Sequence, residues 1–458
     1  LGLRQPQVSR FETGPPRQLL DTLQHWARVL GIPPELLWFR LPNDSTPLAG
    51  AEPAGSGLAV CRPTGLLVPA GSQTNGGQAA WGPNGEQSDD AERDPVLVAP
   101  WNHRGTVEVA ILLSGDGGRV KRRMFLSLTG PALTAPAHQW LVHEPEPLVS
   151  GLTGHRVSGE LVDRFTAMVT ELRRMDDVAG GGSVLAMAQQ LFGWVAGLLD
   201  RASYGEHTGR ALYALLAELG QICGWSAFDM GEHGLAQRYY IAGLRAAHSA
   251  DDRPFGAHIL ANMAKQATSQ GQPADAVTCI ETALAGTRGQ ATPALLAELH
   301  IWQAAAFAAL RDASACTAAI SRARAQAEQL KPDDDPPWLY WLDPRVITAN
   351  AGTSFVKLGQ AEQAVALLDE GMPYFSTSFV RDRQIYLVRQ AEARTLPGKQ
   401  RDLDAAAGLG LQSLDLAESL NSTRGTDLLR DLYLRMKPHA QVPAVREFLE
   451  RVEAVGTG

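Results

Sequence analysis

Few side chains in this sequence are typed and spaced for covalent or metal chemistry. The four cysteines, Cys61, Cys223, Cys279 and Cys316, lie far apart without a C-x-x-C pair, and the eleven histidines are scattered. A zinc site needs clustered ligands, so neither metal nor cofactor is expected. Three of the cysteines fall in helical patterns, where a reduced thiol is a small hydrophobe, and a reducing cytoplasm fits them. There is no phosphate-binding loop, no H-E-x-x-H and no G-x-S-x-G, and "GDGG" at 115–118 reads as a turn. No catalytic residue is assigned and the chain is not read as an enzyme. Groups suited to hydrogen-bonded recognition are more prominent. In "QPQVSRFETG" (5–14), Pro6 suits a first helical turn and Gly14 a left-handed end. Val8 and Phe11, three apart, share one side, and Gln7 and Arg10 turn away from it. Residues 5–13 therefore read as a short amphipathic helix with a polar face.

The elements that position such groups follow from length and composition. At 458 residues the chain suggests two or three domains, and 45% hydrophobic with 20% charged residues describes a soluble globular protein. A net charge of −8 gives no global reason to bind nucleic acid. Residues 1–42 differ, with five arginines against Glu12, Asp21 and Glu35. Residues 43–95 are rich in Gly, Pro, Ser and Asn and read as a flexible linker. Residues 96–159 are ambiguous: "TVEVAILLSG" has strand-like composition and equally begins a helix. "VKRRMFLSLTGPALTAPAHQ" (120–139) has the features of a twin-arginine export signal but stands over a hundred residues from the start. Its apolar run is too short to span a bilayer, and it reads as an amphipathic helix starting near Arg122. Residues 160–206 form a helical lead-in broken by "DDVAGGG", and 207–454 continue the helical period to a terminal cap.

The helical region repeats itself. Turns at Gly231, Gly271, Arg311 and Gly359 align four units. Seven residues before the turn stand Gly224, Ala264, Ala304 and Gly352, and five after it Ala236, Ala276, Cys316 and Ala364, all small. Nine after it come the bulky Tyr240, Ile280, Ile320 and Leu368, and twelve after it Gly243, Ala283, Ala323 and Gly371. Small residues let two antiparallel helices approach, and the bulky one fills the gap beside them. These offsets resemble the tetratricopeptide repeat over about residues 207–375, with longer joints such as "SADDRP" and "QLKPDDDPPWLYWLDP". The resemblance implies an α-solenoid whose first helices line a concave face.

On that face the resemblance places Ile222, Asn262, Trp302 and Asn350 nine residues before the turns. Trp225, Lys265, Ala305 and Thr353 stand six before them, and Glu218, His258, Glu298 and Val346 thirteen before. Of these, Glu218, Trp225, His258, Asn262, Lys265, Glu298, Trp302, Asn350 and Thr353 are the candidate effector groove. A side-chain amide offers donor and acceptor together, as clamping an extended peptide requires, and Trp225 and Trp302 would supply apolar pockets. The aromatics of "PPWLYWLDP" (336–344) read as core filler between units.

The N-terminal stretch with "LLDTLQHWARVLGIPPELLWF" resembles the second half of a Cro/repressor-type helix-turn-helix of the Xre class. Glu12-Thr13-Gly14, Leu30-Gly31 and the short helix Pro33–Trp38 carry that likeness. It implies DNA contacts from Arg4, Gln5, Pro6, Gln7, Ser9 and Arg10, since Gln and Arg make bidentate bonds to adenine and guanine edges. The family's first two helices, roughly 20–25 residues, have no counterpart here. A nine-residue helix without them is marginal, so residues 1–42 alone are expected to bind DNA poorly. The expected fold is all-α: a truncated helix-turn-helix at 1–42, the linker, then the tetratricopeptide-like solenoid with its cap. The layout is similar to actinobacterial regulators of development and antibiotic production, which implies operator DNA, a peptide or protein effector and a possible homodimer as partners, and no membrane. The competing reading is a protein-interaction scaffold without DNA binding.

Overall fold

The computed structural model describes residues 94–115, 126–148, 154–375 and 379–456. The candidate DNA contacts and the linker, apart from its last two residues, lie outside these. Among the described residues the chain is all-α, with seventeen α-helices and no strand. No helix among them is long and apolar enough to cross a membrane.

Four helical hairpins occupy the region of the repeat. They are α6 (Glu206–Asp229) with α7 (His233–Ser249), α8 (Arg253–Ser269) with α9 (Pro273–Gly286), α10 (Pro293–Ala309) with α11 (Ala313–Ala327), and α12 (Pro344–Leu358) with α13 (Ala361–Gly371). Gly231, Gly271, Arg311 and Gly359 lie at the four turns with φ of 76°, 73°, 64° and 76°. That left-handed conformation satisfies the last carbonyls of the preceding helix and reverses the chain. Two more pairs follow, α14 (Val380–Thr395) with α15 (Leu403–Ala417) and α16 (Thr423–Met436) with α17 (Pro443–Ala454).

Close approach inside each hairpin depends on the small residues. A Cβ on Gly224 would lie 2.5 Å from the Tyr240 ring, and one on Gly352 would lie 2.8 Å from Leu368. Ala264, Ala304, Ala236, Ala276, Cys316 and Ala364 are fully buried. Each methylene enclosed in this way contributes about 0.8 kcal/mol. The first helices also pack on one another in order, α6 on α8, then α10, α12, α14 and α16, and α16 returns to touch α6. Helix α4 (Gly159–Ala179) packs on both α6 and α14, so the two ends of the run meet across it.

Among its described residues, the segment 96–159 holds helices and no strand. α1 (Pro95–Val98), α2 (His103–Ser114) and α3 (Pro131–Val142) cover the second helices α7 and α9, and α2 also packs on α5 (Leu185–Arg201). "TVEVAILLSG" thus belongs to a helix that is buried along one side and open to solvent along the other. Of the helix expected from near Arg122, the described residues 126–130 are not helical, and α3 starts at Pro131 after Gly130, at φ 56°. Residues 120–125 lie outside the described residues. Arginine and indole contacts hold this layer. Buried Arg238 pairs with Asp94 at 2.7 Å, Arg245 donates to the carbonyls of Val96, Ala99 and Pro100, and Trp140 lies against Gly256 and Gly286.

Candidate functional site

The first helices enclose one cavity of about 100 Å³. Ile222, Asn262, Trp302 and Asn350, one from each hairpin, all line it, as do Trp225, Lys265, His258, Glu298 and Val346. Equal offsets from equal turns bring these side chains to one place because each hairpin repeats the geometry of the last. Two candidate groove residues are not in the lining. Glu218 is bound by Arg173 at 2.7 Å, and Thr353 donates to the Ala349 carbonyl at 3.2 Å on its own helix.

The site differs from an open groove in two respects. The asparagines do not present free amides to a passing backbone: Asn262 donates to the His258 carbonyl at 2.8 Å and Asn350 to that of Val346 at 2.9 Å. Asn262 also accepts from Gln221 at 3.4 Å. The wall, moreover, is completed by residues from outside the four hairpins. Arg173, Asp176 and Asp177 come from α4, Arg381, Asp382 and Tyr386 from α14, and Trp338, Tyr340 and Trp341 from the joint before α12. Those joint aromatics are therefore cavity wall and not only filler, although Trp338 and Leu339 are buried. Trp338 lies over His258 with ring centroids 4.8 Å apart.

Charge is concentrated where the ends of the run meet. Asp176 and Asp177 occupy the last turn of α4, where the helix dipole disfavours anions. Burial lifts the Asp176 carboxyl above its usual range against the pull of Arg381, which bonds it directly, and Trp225 Nε1 donates to it at 3.0 Å. Burial also pushes Asp177 up to about 7, opposed by the Tyr340 hydroxyl at 2.5 Å and by Arg381. A second buried carboxylate, Asp229, accepts from Gly181 N and the Ser422 hydroxyl, both at 3.0 Å, and lies 3.4 Å from Arg424. The glycines of "DDVAGGG" allow this approach: a Cβ on Gly181 would lie 2.7 Å from the Ser226 carbonyl, and Gly182 N donates to the Asn421 carbonyl at 3.1 Å.

Within the cavity, His258 Nδ1 lies 3.0 and 2.9 Å from the two Glu298 carboxylate oxygens. Lys265 Nζ lies between two indoles, 4.6 Å from the Trp225 centroid and 4.1 Å from that of Trp302. Burial, with Arg424 and Arg381 nearby, pulls Lys265 down to about 7. An ammonium over aromatic faces is attracted by their quadrupoles, and two faces hold this one in place.

The repeat phase locates the hairpin residues but gives no signal for Arg173, Asp176, Asp177 or Arg381, which enter from elements with other spacing. Paired Asp176-Asp177 before a glycine run is the one visible hint, since adjacent acids at a helix end need compensation from elsewhere. No metal-binding group of three or more His, Cys, Asp or Glu occurs among the described residues. Compared with protein-family models and with curated proteins, the chain matches none.

Proposed function

We propose that the chain is a ligand-responsive transcription regulator in which the helical hairpins form the effector module and residues 1–42 are part of a DNA-reading head, to which they alone give only weak DNA binding. The observation that carries the effector part is the convergence of Ile222, Asn262, Trp302 and Asn350, from four successive hairpins, on one cavity closed by α4 and α14. Hairpin packing with small residues at fixed offsets supports a tetratricopeptide-like array. The DNA-reading part is supported by the helix-turn-helix likeness of residues 1–42.

The cavity size favours a small effector over an extended peptide. An engineered cavity of about 150 Å³ takes a benzene-sized molecule, so about 100 Å³ suits a compact ligand or the end of a chain. Residues from α4, α6, α8, α10, α12 and α14 would all touch such a ligand. Its binding would bias the array toward the conformation in which they converge, and a bias of this kind acts only through differential affinity for the two states. The effect on DNA then follows from whatever contacts that conformation permits between reading heads, which a homodimer would pair on a two-fold operator.

The test is chromatin immunoprecipitation of the protein tagged at its own locus. Discrete enriched DNA sites above an untagged control support the regulator. Uniform background, with co-purified proteins in place of DNA, replaces it with the interaction scaffold.

A further inference from the structure

Every carboxylate lining the cavity has a donor beside it. Asp176 accepts from Arg381 and Trp225, Asp177 from Tyr340, and Glu298 faces His258, while Asp382 lies 3.7 Å from Arg381. Arg173 is answered by Glu218 and Arg381 by Asp176. Lys265 differs from these cations: among the described residues no carboxylate lies within 4 Å of it, and its contacts are with the two indole faces. Ring faces attract the charge but offer no lone pair to its three N–H donors. Lys265 is half-buried, and the cavity it borders leaves room for an acceptor beside its ammonium.

We propose that this cavity takes a small organic monocarboxylate, with the Lys265 ammonium as its counter-ion. The inference rests on the reading of the cavity as an effector site and names the class of effector. Trp302, Trp338, Trp341, Ile222 and Val346 supply apolar wall for the body of the molecule. Volume limits it to on the order of five or six non-hydrogen atoms. Arg173 and Arg381 are already answered by acids, so the lining offers a single unanswered cation, which matches one negative charge better than phosphate or a dicarboxylate. A cationic ligand would have to displace Lys265 from the aromatic faces it already occupies.

Protonation gives the proposal a signature that a structural lysine lacks. The groups around Lys265 are Glu298 from α10, Asp382 and Arg381 from α14 and Arg424 from α16, and burial outweighs the acids to bring it near 7. A bound carboxylate favours the charged amine, so binding at pH 8 draws a proton from solvent and binding at pH 6 does not.

Isothermal titration calorimetry of the full chain with acetate, propionate and butyrate, against butyramide and butylamine, tests it. Butyrate should bind at least tenfold more tightly than butyramide. Titrations at pH 8 in two buffers of different ionisation enthalpy should show uptake approaching one proton. Lys265→Met should lose at least tenfold in butyrate affinity with an unchanged circular dichroism spectrum, and Lys265→Arg should retain part of it. If the Met variant does not fold, proton uptake by the unaltered protein still decides. Equal binding of acid and amide, absence of proton uptake, or no binding by any of the three carboxylates overturns the proposal. Binding of butylamine alone also overturns it and leaves the effector site standing. Carboxylate binding through Lys265 without any change in DNA occupancy upholds it and removes the regulator reading instead.

Discussion

Replacing Asp177 with asparagine isolates the electrostatic cost of closing the helical run. The carboxyl is 12% exposed, accepts from Tyr340 at 2.5 Å and lies 3.8 Å from Arg381, yet burial lifts it from 3.8 to about 7. A change of that size corresponds to about 4 kcal/mol between its protonated and ionised forms. Between pH 3.8 and about 7 the folded state therefore holds more protons than the unfolded chain. Its contribution to stability is fully present below 3.8 and is lost as pH rises through about 7. The amide of Asp177→Asn would keep an acceptor for Tyr340 and would not ionise. Urea unfolding followed by circular dichroism, at intervals from pH 4 to 8, gives the comparison. Near pH 4 the variant and the parent should agree closely. Above pH 5 the variant should become progressively more stable than the parent, by about 4 kcal/mol at pH 8. Titrations of groups remote from position 177 are common to both proteins and cancel in the difference. A difference that stays flat from pH 4 to 8 would refute the burial argument.

Two further outcomes follow from the packing. Arg381→Met leaves Asp176 and Asp177 without their shared cation and should cost about 3 kcal/mol in urea unfolding, much of it recovered by adding Asp176→Asn. Alanine at two helical glycines should act with opposite sign in the same assay. A methyl group added at Gly408 would have nothing within 4 Å of it, so alanine there gains about 1 kcal/mol from helix propensity. At Gly352 the same group meets Leu368 at 2.8 Å, and alanine should lose about 1–2 kcal/mol net.

The hairpins are legible in the sequence because their packing repeats. Tyr240 can lie on Gly224, and Leu368 on Gly352, only when both members of the pair stand at set distances from the turn, so the offsets survive in the chain as a pattern. Arg311 shows that the pattern, and not glycine itself, marks the turn: a side chain occupies the same left-handed conformation there. Cavity residues on the hairpins inherit that legibility. Arg381 and Asp176 do not, because they stand 205 positions apart and no local period connects them. Segment 96–159 is ambiguous in sequence for another reason. Its helices lie across α7 and α9 and are apolar on more than one side, which weakens the amphipathic signal; α3 carries Pro136 inside it and buries Trp140, Leu133 and Ala137 together. The joint aromatics read as filler because a run of Trp and Tyr says nothing of what encloses it.

The meeting of the run's two ends changes how the array would come apart. In an open row of hairpins each unit leans only on its neighbours, and the outermost can fray without disturbing the far end. Here Ser422 and Arg424 hold Asp229, and Arg381 holds Asp176, so detaching the last hairpins would strip two sunken carboxylates near the beginning of their partners. First and last helices are thus expected to melt together, and a deletion at the tail should register at the head.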